Sequence, residues 1–174
     1  IVNAVKNGTL EESVLDQRLD ELLRVIFATH QATVDGKGTT FNKEAHHKLA
    51  RKAAEESIVL LKNEEQILPL KQGTKVAVIG DFAKTPRYQG AGSSLVNPAM
   101  PPESILEEIK DSGLTMTAYE QGYIRNRKPN AKLVKAAVEA AKNADVVLFF
   151  GGLEEISESE GLDRAHMHMP VAQD

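Results

Sequence analysis

The chain has 174 residues, enough for one domain with a real core and short for two. Its 41% hydrophobic and 26% charged content belongs to an ordinary globular protein, and a net charge of −4 with scattered basic residues argues against nucleic acid as a partner. No apolar run approaches the ~18–20 residues that a membrane span needs, and the absence of cysteine removes disulfides, thiolate metal sites and cysteine nucleophiles together.

The absence of cysteine also favours a reducing, cytoplasmic compartment without assigning one. The chain opens on Ile1-Val-Asn-Ala-Val-Lys with no initiator Met and stops at Gln173-Asp174, where a helix begins. Both ends read as cut, so the expectation is a piece of a larger protein.

Asn7-Gly8 closes a short first helix, with glycine suited to the left-handed position after a C-terminus. Thr9-Leu-Glu-Glu12 reads as a capping box opening a second helix to about Phe27, with Leu15, Leu19, Leu22, Leu23 and Ile26 on one stripe. From His30 to Thr40 the apolar period fades and Asp35-Gly-Lys-Gly38 reads as loop. These signals divide the chain into helices over 1–29, a linker over 30–41 and a second domain over 42–174.

Asn42 is placed to cap a long helix reaching Lys62, with Ala45, Leu49, Ala53, Ser57 or Ile58, and Leu61 as its buried stripe. Lys75-Val-Ala-Val-Ile-Gly80 is a short apolar strand ending on glycine. A Gly- and Pro-rich loop from Asp81 to Pro102 leads to a helix over Ser104–Ser112 and an alternating strand over Leu114–Tyr119. An alanine-rich helix from Ala131 to Asn143 precedes a buried strand from Asp145 to Phe150. Strand and helix alternating at this spacing predict an α/β fold, helices on both faces of a mostly parallel sheet.

Ligands of such sheets sit beyond the carboxyl ends of the strands. The two longest polar loops leave there, 80–102 and 151–170. The first offers Arg87, Gln89, Gly90, Ser93, Ser94 and Asn97; it lacks the GxGxxG or GxxxxGK[ST] pattern of a phosphate loop, and its polar groups suit a polyol. His46-His47 are helical neighbours that do not share a face, and His166 with His168 lacks a third ligand at familiar spacing, so no metal is expected.

The second loop gathers Glu154, Glu155, Glu158, Glu160 and Asp163, with Arg164 beside them. Clustered carboxylates raise one another's pKa, which suits a general acid near neutral pH. On that basis Gly161 frees an acid to enter a cleft, and Asp163 pairs with Arg164 to pin the loop. The residues alone leave two readings open, a solvated charged loop and a catalytic acid.

Ala54-Glu-Glu-Ser-Ile-Val-Leu-Leu-Lys-Asn63, Leu68-Pro-Leu70 and Val76-Ala-Val-Ile-Gly80 resemble the start of the second domain of family 3 glycoside hydrolases. Glu158-Ser-Glu-Gly-Leu-Asp-Arg164, with Met167 and Pro170, resembles that family's SEG(F/Y)DRxxMxLP segment. Ala4-Val-Lys-Asn-Gly-Thr-Leu10 and the helix after it resemble the last helices of the family's barrel domain. Met169 stands where the family usually has Leu, a volume-conserving change.

The resemblance implies a truncated three-layer α/β/α sandwich with a mostly parallel sheet, preceded by helices from the end of a TIM-like barrel. It implies a retaining β-glucosidase or related exo-β-glycosidase working through two carboxylates about 5–5.5 Å apart, without a cofactor. The acid/base falls on Glu160, with Glu158 as runner-up. Asp163 and Arg164 fall on loop-organising positions, and Arg87, Gly90, Ser93 and Ser94 on a loop facing the sugar pocket. The partners implied are a β-glucoside or short β-linked oligosaccharide and the barrel domain of the same chain.

The SDW-type nucleophile segment and the Lys-His pair that holds the sugar have no counterpart in these residues. The expectation is therefore that the chain alone is inactive and associates through an open sheet edge. A non-catalytic α/β sugar-binding or interaction module is the alternative, with a nucleotide-binding regulatory domain behind it.

Overall fold

The computed structural model describes residues 1–36, 38, 40–125 and 128–174. They form two compact units, Ile1–Ser57 and Ile58–Asp174. No helix among the described residues is long and apolar enough to cross a membrane.

The first unit is helical, with α1 over Val2–Lys6, α2 over Glu12–Asp35 and α3 over Lys43–Ser57. Thr9 does not cap α2: its hydroxyl donates to the Ala4 carbonyl, and Glu11 takes the cap position without a side-chain bond. Nor does α2 stop near Phe27. Residues 28–35 contain neither Gly nor Pro, and the hydroxyls of Thr29 and Thr33 donate back to the carbonyls of Val25 and Thr29, so the helix runs on until Gly36.

Asn42 does cap α3, accepting from the Ala45 N–H at 3.0 Å, but α3 ends at Ser57 rather than Lys62. Its expected stripe is not buried: Leu49 is 67% exposed, and Ile58 and Leu61 lie beyond the helix and open to solvent.

The second unit is built on β1 (Lys75–Ile79), β2 (Thr115–Glu120) and β3 (Val146–Phe149), all parallel, in the order β2-β1-β3. The continuous apolar run of β1 suits its central place, where Val76, Ala77 and Val78 are wholly buried. Val76 faces Val146, and the register against β2 slips by one residue after Val76. Burying each valine contributes about 1.5–3 kcal/mol.

Alternation along β1 sends successive side chains to opposite faces. Val76 and Val78 pack with Ala83 of α4 (Asp81–Lys84) and with Ile105, Leu106 and Ile109 from α5 (Ile105–Glu108) and the 3-10 turn after it. Ile79 lies on the other face, near Ala137 and Val138 of α6 (Ala131–Ala141). Helices thus cover both faces, as the α/β/α expectation requires. Ser104 with Glu107 closes a capping box on α5, and Asn130 caps α6.

The carboxyl edge is drawn tight by Gly80. Its φ of +127° excludes most side chains, and a Cβ there would stand 2.2 Å from the Phe150 carbonyl. The Gly80 N–H bonds Glu120 and the Phe150 N–H bonds Ile79, so the three strand ends close together and their loops leave from one place.

Candidate functional site

Two of those loops meet. The chain after β1 passes through Ala91 and the 3-10 turn Gly92–Ser94, and the chain after β3 runs through Glu158–Glu160. Ala91 and Ser159 form a parallel bridge, and the Glu160 N–H donates to the Ala91 carbonyl at 3.2 Å. The Ser93 N–H returns the contact, donating to Glu160 Oε2 at 2.8 Å.

Gly92 permits this approach. Its φ is +83°, and a Cβ at that position would lie 3.0 Å from the Glu160 Cβ. Beside it, the Ser94 hydroxyl donates to the Ala91 carbonyl, and Gly90 leaves room for that hydroxyl, which a Cβ would meet at 2.6 Å.

A cleft of about 820 Å³ opens here, lined among others by Ser94, Glu158, Glu160, Asp163, Arg164 and His166. Of the sequence-derived site residues, the structure thus gathers Gly90, Ser93, Ser94, Glu158, Glu160, Asp163 and Arg164. Arg87 is not among them. It is half-buried, donates to the Leu153 carbonyl at 3.2 Å and lines a separate cavity of about 320 Å³ with Phe82 and Phe150. Arg87 therefore braces the root of the acidic loop.

Two electrostatic expectations are corrected. Arg164 pairs with Glu158, Nε to Oε1 at 2.9 Å, rather than with Asp163. The Glu160 carboxyl is held below the ordinary glutamate value, not above it, through the side chain of Ser93 first and its backbone N–H second. The carboxylate is exposed, so burial opposes this only weakly. In the free chain Glu160 is an anion held by donors.

Glu154 and Glu155 do not line this cleft. Glu154 is 6% exposed and accepts from the Ser157 hydroxyl at 2.8 Å, while Glu155 accepts from Arg125. Sequence reasoning missed Arg125 and Tyr123. Tyr123 is buried, and its hydroxyl donates to the Phe150 carbonyl at 2.6 Å. The one available signal was the aromatic and cationic pair Tyr123 and Arg125 directly after β2 on the ligand edge.

His166 and His168 lie with ring centroids 5.0 Å apart. Among the described residues no group of three His, Asp or Glu is placed to hold a metal.

Comparison with known proteins identifies the family. Residues 58–174 match the model of the glycosyl hydrolase family 3 C-terminal domain. Across 99% of its length the chain is 44% identical to thermostable beta-glucosidase B of Acetivibrio thermocellus, covering 23% of that protein. It is 40% identical to an exo-alpha-(1->6)-L-arabinopyranosidase of Bifidobacterium breve, again over 99% of the chain and 24% of the relative. The crystal structure of the Bifidobacterium adolescentis GH3 beta-glucosidase superposes with a TM-score of 0.73 at 40% identity, over 99% of this chain and 25% of that one. The chain spans about a quarter of the length of the curated relatives it matches. It belongs to glycoside hydrolase family 3, with residues 58–174 matching the family's C-terminal domain.

Proposed function

We propose that this chain supplies the acid/base half of a retaining exo-β-glycosidase that removes terminal β-linked glucose by double displacement. Glu160 protonates the departing glycosidic oxygen and then deprotonates the water that releases the sugar. The observation that carries the proposal is the junction at which Ser93 and Gly92 hold the Glu160 carboxylate at the wall of the cleft.

The low pKa of the free carboxylate fits a proton donor through its surroundings during turnover. A bound sugar strips water from the carboxylate, and a nucleophilic carboxylate about 5–5.5 Å away repels its charge; both raise the pKa. Ser93 then serves as the donor that holds the anion produced by each proton transfer.

On this reading α1 and α2 are the last helices of a barrel domain that carries the nucleophile and most of the sugar contacts. The chain by itself then does not turn over. Among the described residues its outer strands β2 and β3 each pair on one side only, which supports association of the isolated chain through a sheet edge.

The test compares Glu160→Ala with the parent in the full-length enzyme, on a β-glucoside with a phenolate leaving group of low pKa and on an alkyl β-glucoside. Loss of the acid should lower the rate on the alkyl substrate by about 10²–10⁴-fold while sparing glycosylation by the activated one. Equal losses on both would remove Glu160 from the acid role. Retained sugar affinity with no effect on turnover would favour the binding-module alternative.

A further inference from the structure

We infer that Arg125 is a positioning residue for proton delivery, tying together the loops that hold Glu160 and its partner Ser93; this rests on the acid/base reading of Glu160. The side chain leaves the segment after β2 and is only 17% exposed. Its Nε lies 2.6 Å from Asp81 Oδ2, at the start of the chain after β1. Its Nη1 donates to Glu155 Oε1 at 2.9 Å, in the chain after β3, and Nη2 donates to the Thr85 carbonyl. The guanidinium carbon stands 4.1 Å from the centroid of the Phe82 ring.

One planar cation thus joins the segments leaving all three strands. Five residues beyond Glu155 lies Glu160, and eight beyond Thr85 lies Ser93. The position of the carboxylate and that of its donor are therefore both referred to Arg125. The fork geometry is needed, because lysine presents a compact charge and cannot hold two carboxylates and a carbonyl in one plane. Without the cation, Asp81 and Glu155 would face each other as like charges and drive the two loops apart.

A merely stabilising Arg125 and a positioning one differ in what they do to the leaving-group dependence. In the full-length enzyme, Arg125→Ala should lower kcat/KM on an alkyl β-glucoside about tenfold more than on an activated aryl glucoside, since a small displacement of the acid penalises the step that needs it. Added guanidinium should narrow the gap, and Arg125→Lys should leave it open. Glu155→Gln, at a half-exposed position that tolerates the change, should shift the same ratio in the same direction by a smaller factor.

Uniform losses on both substrates in Arg125→Ala and Glu155→Gln, while Glu160→Ala shows leaving-group dependence, would overturn the positioning role alone. A Glu160→Ala enzyme without that dependence would overturn the acid/base reading, and the role of Arg125 with it. If Arg125→Ala does not fold, Glu155→Gln decides the question by itself.

Discussion

The Ser93 backbone N–H donates to Glu160 Oε2 at 2.8 Å across a separation of 67 residues, joining the loop after β1 to the loop after β3. A backbone donor cannot be deleted by shortening a side chain, so this contact survives most substitutions at position 93. The Ser93 side chain is the separable part, and it is the larger cause of the lowered Glu160 pKa.

Ser93→Ala should therefore raise the Glu160 pKa toward the ordinary glutamate value without abolishing the loop junction. A carboxyl whose folded pKa is depressed stabilises the fold above its unfolded pKa, and that stability is lost as pH falls through the folded value. The Ser93→Ala chain should accordingly show a shallower loss on acidification. Carboxyl-carbon NMR titration checks this; an unmoved titration would mean that the backbone N–H alone sets the pKa.

Gly92→Ala should destabilise by about 1–2 kcal/mol, because a residue with a Cβ is forced to a φ of +83°. The new methyl also presses on the Glu160 Cβ, 3.0 Å away, so the Ser93 contact should lengthen. Urea denaturation and the amide shift of Ser93 report the two effects separately. Unchanged values of both would show that the turn relaxes freely.

The strands were legible because apolar runs bounded by glycine, threonine or aspartate have few alternatives in a chain this size. Asn42 was legible for a similar reason, since its cap is satisfied within one turn. The α2 end was not, because loss of apolar periodicity was read as loss of helix, while Gln31, Ala32, Thr33 and Val34 remain compatible with both. The exposed face of α3 hid in the same way: an apolar stripe marks what can be buried, not what this part of the chain buries.

In the site, Glu160, Gly90 and Ser93 were reachable through the family segment and the loop composition, but the electrostatics were not. Counting five acids suggested mutual repulsion. In the fold Arg164 pairs with Glu158, Arg125 takes Glu155, Ser157 binds Glu154, and Glu160 is left with Ser93. Arg125 gave little warning, as its partners lie 44 and 30 residues away, at Asp81 and Glu155.

Glu158→Gln should break an ion pair whose partners are 37–40% exposed, costing at most about 1 kcal/mol. If Glu158 only steadies the loop, its rate loss in the full-length enzyme should be small and equal for aryl and alkyl glucosides. A selective loss on the alkyl substrate would transfer the acid role from Glu160 to Glu158.

Tyr123→Phe should cost about 1–3 kcal/mol, since the Phe150 carbonyl loses its buried donor. Burial raises the Tyr123 phenol pKa above the ordinary tyrosine value. A raised folded pKa means stability present below the unfolded pKa and lost as pH rises through the folded one, so Tyr123→Phe should flatten the alkaline decline. Thermal unfolding across the alkaline range measures it, and an unchanged decline would place its origin elsewhere.

The most direct measurement concerns the second half of the proposed cycle. Full-length Glu160→Ala enzyme is given an activated aryl β-glucoside with and without azide, and the products are resolved by NMR. Without a general base the glycosyl-enzyme waits for water, whereas anionic azide needs no deprotonation and is no longer repelled by a carboxylate. The account predicts faster turnover in azide, with β-glucosyl azide as the product and its retained configuration recording two inversions. Unaltered turnover with glucose as the sole product would contradict Glu160 as the acid/base.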